Sequence, residues 1–276
     1  MTAEATMVRD HYQAAIADRE ALLAKLSAAI DAMEPPIDTH RLAPLDQFHL
    51  GGVAATAALA ERVRPRASDH VLDAGAGLGG PARYLAQHIG CRVEGIDLSP
   101  DYVAIARLFT ERAGLSDKAS FEEGDLTELP FADARFDLVW TQHVAMNIAD
   151  RAALYRELRR VLKPGGRLAF YDPIAGDGHP DLIYPVPWAV SAETTTLLTA
   201  EETRAVLAGA GFEVTALDDV TQQAFGWAMQ QGAPALSGGV NTGMIVGARM
   251  AEMVGNFVQN LREGRARLMI GLATAV

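Results

Sequence analysis

The 276-residue sequence holds one cysteine, Cys91. No internal disulfide can form, and the chain fits a reducing compartment. Cys91 stands just ahead of the apolar run that begins at Val93 and reads as the small, apolar start of a buried strand. Basic residues are also scarce: 24 Lys and Arg face 35 Asp and Glu, for a formal net charge of −11. Nucleic-acid binding is led by cations that neutralise phosphates, so no nucleic-acid partner is expected. No apolar run approaches the ~20 residues of a membrane span. Met1 to Thr6 lack the basic start and apolar core of a secretion leader. We therefore expect a soluble, cytoplasmic protein with no membrane partner. No metal is expected either, because His40 and His49, or His143 and His179, match no ligand spacing.

What is present suggests one large domain with an elaborated cover. Apolar runs alternate with helical stretches: strands at 70–73, 92–97, 119–123, 136–141 and 167–172, and helices at 81–89, 100–113 and 151–162. Such alternation indicates an α/β fold whose parallel sheet is covered on both faces. Ligands of such sheets sit beyond the carboxyl ends of the strands, where the strand order switches. Pro164-Gly165-Gly166 reads as the turn into the fifth strand. A capping box at Thr199 and Glu202 opens a later helix, Gly211-Phe212-Glu213-Val214 opens a sixth strand, and 267–275 returns as a final apolar strand.

The centre of the sequence is Val71-Leu72-Asp73-Ala74-Gly75-Ala76-Gly77-Leu78-Gly79-Gly80-Pro81: a short strand, a glycine-dense turn and a helix start. Glycines let the backbone approach a ligand, and the first N–H groups of the helix offer donors. Gly75-x-Gly77-x-x-Gly80 also fits the dinucleotide fingerprint, with Asp97 at roughly the ~20-residue offset of a ribose-binding acid. The glycines alone leave a nucleotide-linked oxidoreductase open. Asp73 shifts the balance, since a carboxylate before the turn would crowd a pyrophosphate but suits a cofactor carrying an ammonium group.

With Gly95-Ile96-Asp97-Leu98-Ser99, Glu123-Gly124-Asp125, Phe136-Asp137-Leu138-Val139-Trp140 and Leu162-Lys163-Pro164-Gly165-Gly166 in order, residues 45–222 resemble the class I S-adenosylmethionine-dependent methyltransferases. The segments Gln47-Phe48-His49-x-Gly51-Gly52 and Gln142-His143-x-x-Met146-Asn147-Ile148 look like its bacterial small-molecule branch, which includes ubiquinone/menaquinone-type, sarcosine/dimethylglycine-type and natural-product enzymes. The resemblance implies a Rossmann-like fold with a seven-stranded, mostly parallel sheet. It implies S-adenosylmethionine as cofactor, with Asp73, Gly75, Gly77 and Gly79 at its amino-acid tail, Asp97 and Leu98 at the ribose, and Asp125 and Leu126 at the adenine. Gln142, Gln47 and Tyr12 are further candidates for cofactor contact.

Around this core, residues 1–52 are expected to form a helical segment and a cofactor-covering loop. One amphipathic helix spans 7–33, and a loop covers 45–52. Residues 53–222 form the methyltransferase core. Residues 223–276 hold a helical lid inserted between strands six and seven, with breaks at Gly232 and Gly238-Gly239, and then the final strand. Tyr184-Pro185-Val186-Pro187-Trp188 cannot be a helix interior or central strand, and reads as a loop forming one wall of the acceptor pocket.

Methyl transfer needs an aligned acceptor, a dry site and, for a protonated nucleophile, a base. His143, after the fourth strand, is the candidate base. His49, Asn147, Tyr184, Trp188 and Trp227 are candidates to hold the acceptor. The aromatic and methionine-rich lid favours a small-molecule acceptor that is partly apolar and of natural-product type, methylated on a hydroxyl. N-methylation of a small amine, C-methylation and a scaffold without turnover are the alternatives. The oligomeric state stays open, a homodimer among the options.

Overall fold

A computed structural model describes residues 2–230, 245, 247 and 249–276. Its seven-stranded sheet has the order β3-β2-β1-β4-β5-β7-β6. The strands are β1 (His70–Ala74), β2 (Arg92–Asp97), β3 (Ala119–Glu123), β4 (Phe136–Gln142), β5 (Leu162–Ala175), β6 (Phe212–Asp219) and β7 (Ala266–Ala275). All neighbours are parallel except β7, which lies antiparallel between β5 and β6. The chain leaves β1 toward β3 and returns to β4 on the other side. This reversal opens a crevice at the carboxyl ends of β1 and β4.

The alternation along each strand sorts the core into two layers. Val71, Leu138, Trp140 and Tyr171 face one layer, while Leu72, Val139, Leu168 and Phe170 face the other. A slip of one residue would exchange them, so the register is strongly fixed. It also puts Asp73, the register partner of Trp140, on the same face as Gln142, two residues further along β4.

The helix expected over 7–33 is two helices. Helix α1 (Ala3–Gln13) and α2 (Arg19–Asp31) are separated at 14–18. Asp18 caps α2 by accepting from the Ala21 N–H at 3.0 Å. Arg19 reaches Asp101 at 2.5 Å and Gln13 donates to the same carboxylate at 3.1 Å, so a tertiary anchor sets the bend. The loop expected over 45–52 begins as the end of a helix, α3 (Thr39–Asp46), ahead of α4 (Gly52–Val63). Helix α5 (Gly80–Tyr84) runs on through one π-turn to Ile89. Helices α6 (Pro100–Arg112) and α7 (Arg151–Val161) complete the wrapping of the parallel strands.

The turn expected at Pro164-Gly165-Gly166 is instead a bulge inside β5. Leu162 already pairs with Phe136, and pairing resumes at Arg167 opposite Leu138. After β5, the capping box at Thr199 opens α8 (Ala200–Gly209).

Helices α9 (Thr221–Gln230) and α10 (Met250–Arg262) flank the expected lid. Its glycine breaks at Gly232, Gly238 and Gly239, and Met244, lie outside the described residues. Both helices pack on β7 and α9 also on α4. Ala224, Met253 and Phe257 are buried there, while Met229 is 83% exposed. This part of the expected lid is therefore helical packing on the sheet. Among the described residues, no helix is long and apolar enough to cross a membrane.

Candidate active site

A cavity of ≈ 330 Å³ lies over the crevice between β1 and β4, roofed by the inner face of α1. Ala5, Val8, Arg9 and Tyr12 line it, at the spacing that places residues on one face of a helix. The Tyr12 hydroxyl donates to Asn147 Oδ1 at 2.8 Å.

Three acidic side chains stand at successive strand tips. Asp73 ends β1, is 2% exposed, and its Oδ2 has no hydrogen-bond partner. Burial and the neighbouring Asp97 carboxylate push Asp73 up to about 7. Asp97 accepts from the Gly77 N–H at 2.8 Å through Oδ2 and from the Ser99 N–H at 2.9 Å through Oδ1. With the Leu98 N–H as a third backbone donor, the carboxylate still has lone-pair capacity for a ligand hydroxyl. Asp125, past β3, accepts through Oδ1 from the Thr127 N–H at 2.9 Å and hydroxyl at 2.7 Å. Leu98, Leu126, Gly75 and Gly77 also line the cavity.

Gly75 sits at φ 76, and a Cβ there would fall 2.5 Å from Val144 Cγ2. The backbone of the glycine turn thus packs directly against the Val144 side chain, after β4. Gly79 was expected at the cofactor but does not line the cavity. A Cβ at Gly79 would meet Phe121 and Arg83, so close packing explains that glycine. Arg83 itself is completely buried, donating to Asp46 Oδ2 at 2.7 Å and to the Leu78 carbonyl at 2.6 Å. It ties the glycine turn to the end of α3.

Gln142 is held by two donors on its Oε1, the Trp140 indole at 2.9 Å and the Thr56 hydroxyl at 3.1 Å. These orient the amide, and its Nε2 is left without a partner. His143 follows at φ 56, a left-handed conformation uncommon outside glycine and typical of strained functional positions. Its N–H donates to the Tyr171 carbonyl at 2.8 Å, and Asp172 Oδ1 accepts from the Val144 N–H at 2.7 Å. The His143 Nε2 is buried without a partner. Burial, with His49 nearby, lowers its pKa well below the usual histidine value. The two imidazole centroids are 6.0 Å apart. His49 lines the cavity, donates through Nε2 to the Gly52 carbonyl at 3.0 Å, and is lowered by burial to about 4.

The other expected contacts are tied up in the walls or lie away from the cavity. Asn147 lines the cavity, but its amide donates to the Trp188 and Thr194 carbonyls, both at 3.0 Å, and its oxygen takes Tyr12. It joins walls instead of offering a free group. Gln47 bonds to Asp46 at 3.1 Å and does not line the cavity. Tyr184 packs on the core. Trp188 is buried against Phe257 at 4.9 Å, because the Val186–Ala189 bridge turns its ring inward and leaves Pro187 on the cavity wall. Trp227 packs against Tyr171, centroids 6.2 Å apart. Of the expected aromatic and methionine wall, Met250 lines the cavity together with Met146. Asp46, Thr56, Arg83, Tyr102 and Asp172 were not singled out from sequence, although Asp172 repeats the signal of an acid at a strand tip.

The donor set suits a cation. Among the described residues, Asp46, Asp73, Asp97, Asp125 and Asp150 line the cavity together with one guanidinium, Arg9, and the neutral imidazoles of His49 and His143. A dinucleotide pyrophosphate would lie against carboxylates, whereas Asp73, whose Oδ2 has no partner, fits an ammonium group. Among the described residues no group of three His, Cys, Asp or Glu could hold a metal.

Residues 72–170 match the family described as "Methyltransferase domain". The methyltransferase GfsG of Streptomyces halstedii is 35% identical over 65% of this chain and 65% of its own length. An O-methyltransferase of Pyrenophora dematioidea is 30% identical over 65% and 67%. The chain thus spans about two thirds of the length of these curated relatives. Among solved structures, the [4+2]-cyclase SpnF superposes with a TM-score of 0.62 at 26% identity, covering 80% of this chain and 79% of that one. With the strand order and the strand-tip acids, the methyltransferase matches show that the chain belongs to the class I S-adenosylmethionine-dependent methyltransferases.

Proposed function

We propose that the protein methylates a hydroxyl of a small, partly apolar acceptor, of the kind found among natural products, with His143 as general base. The observation that carries this reading is the buried, unpartnered Nε2 of His143 beside the cavity, on a backbone held in the left-handed region. S-adenosylmethionine supplies a methyl group on a sulfonium sulfur that leaves as a neutral thioether. Asp73 would pair with its ammonium group, Asp97 with the ribose hydroxyls, and Asp125 with the adenine amine across the apolar face of Leu126. The Gln142 amide, oriented by Trp140 and Thr56, has donors to spare for the carboxylate tail.

His143 is neutral at pH 7 because of its burial, so it can take a proton as soon as one is released. A base weakened in this way matches an acidic hydroxyl, such as a phenol near pKa ~10, better than an alkyl alcohol. Met146, Ile148, Pro187 and Met250 supply apolar lining, which excludes water from the transfer. In this reading residues 1–52 cover the donor, residues 53–222 hold it, and 223–276 brace the sheet.

The test is incubation with labelled S-adenosylmethionine and phenol, alcohol and amine acceptors, beside His143→Ala. We expect label on phenolic oxygen, and turnover at least 10²-fold lower in the variant with unchanged affinity for S-adenosylhomocysteine. Label on amines, with His143→Ala at full speed, would remove both the hydroxyl and the base. The likeness to SpnF favours a second reading, cyclisation at the same cavity. Donor binding with no labelled product from any acceptor would support it.

A further inference from the structure

We propose that the Tyr102 hydroxyl is a ribose-binding group, donating to a sugar oxygen of the bound donor beside Asp97. The proposal rests on the cofactor reading above. Tyr102 stands in the first turn of α6, whose N-cap Ser99 accepts from the Tyr102 N–H at 3.2 Å. The ring is fixed between aromatic neighbours, with Phe48 at 5.7 Å and Tyr12 at 5.9 Å between centroids. The residue is 3% exposed and lines the cavity with Asp97, Leu98 and Ser99. Its hydroxyl nevertheless has no hydrogen-bond partner.

A buried tyrosine hydroxyl normally finds a partner, and one left without it is destabilising. Phenylalanine would fill the same space without that penalty. The hydroxyl is therefore a liability in the ligand-free protein, and a bound ligand can offset it. Burial, with Tyr12, Asp97 and Asp101 around it, keeps the group protonated, so it is available as a donor. Asp101 is already engaged by Arg19 and Gln13. Asp97 is acceptor-only when ionised, so a ribose hydroxyl that donates to Asp97 retains lone pairs for Tyr102. The two side chains are complementary toward one sugar edge.

The experiment compares wild type and Tyr102→Phe by calorimetric titration with S-adenosylhomocysteine and with 5′-deoxy-5′-methylthioadenosine, which lacks the amino-acid tail, alongside thermal melts without ligand. We expect about a tenfold loss of affinity for both ligands in the variant, and a ligand-free Tm that is equal or higher. Equal affinity in both proteins overturns the proposal. So does a loss confined to S-adenosylhomocysteine, which would put the contact on the tail, or a lowered ligand-free Tm, which would show that the hydroxyl already has a partner. Failure of wild type to bind either ligand would instead overturn the cofactor reading itself.

Discussion

The Tyr12 hydroxyl meets Asn147 Oδ1 at 2.8 Å, and this bond joins the N-terminal helix to the turn that follows β4. Asn147 in turn holds the Trp188 and Thr194 carbonyls, so one amide links the roof of the cavity to its side wall. In the proposed reading the donor lies beneath α1, and its release requires α1 to give way. Tyr12→Phe keeps the ring and loses the link. A net hydrogen bond of about 1 kcal/mol should raise the dissociation rate of S-adenosylhomocysteine roughly fivefold, with little change in Tm. Stopped-flow displacement measures this; an unchanged rate would mean that α1 is held by its other contacts, such as the 3.1 Å bond from the His11 ring to the Pro187 carbonyl.

Asp73 should make donor binding depend on pH. Burial and Asp97 push its carboxyl up to about 7, and an ammonium group pairs only with the ionised form. Affinity for S-adenosylhomocysteine should therefore climb between about pH 5.5 and 7.5, then level off, with proton release on binding. In the ligand-free protein the folded state keeps a proton that the unfolded chain gives up near pH ~4. This side chain thus favours folding most at low pH, and its contribution fades as the pH rises through 7. Titrations in buffers of different ionisation heat report the protons, and Asp73→Asn should flatten the profile. A slope that survives in Asp73→Asn would assign it to another group.

The buried pair of Arg83 and Asp46 predicts strong non-additivity. Arg83→Met leaves the buried Asp46 carboxylate without its cation and should destabilise the protein by about 3–5 kcal/mol. Adding Asp46→Leu removes the orphaned charge and should recover most of that loss. Denaturant melts of the single and double variants measure it; simple addition of the two penalties would show that the side chains act independently.

Much of the parallel half of the sheet was legible because its strands are short apolar runs bounded by Gly, Pro and acidic residues. The ends of β2 and β3 agree with the residue pattern. The bend between α1 and α2 was not legible, since Ala14-Ala15-Ile16 continues a helical composition and the break follows from Asp101 engaging both sides. Nor was the early start of β5, because Pro and Gly in a bulge carry the same local signal as in a turn. At the site, Asp97 was picked out by its offset from the glycines, Asp73 by its place before the turn, and Asp125 by the resemblance to the family. The aromatics Tyr184, Trp188 and Trp227 could not, because composition does not say which way an irregular segment points its rings. Tyr102 was missed for the converse reason: at helical spacing it is indistinguishable from an ordinary core aromatic, and only its unpartnered hydroxyl separates it.

Strand β7 lies between β5 and β6 and, among the described residues, is the sole strand paired with β6. During synthesis on the ribosome, the nascent chain can assemble β1 to β5 in sequence, yet β6 must wait, unpaired, until residues 266–275 have emerged. The long loop closed by that final insertion makes it a late step in assembly. Until then β5 carries an open edge along the continuous apolar run Leu168-Ala169-Phe170-Tyr171, the kind of edge to which other chains add.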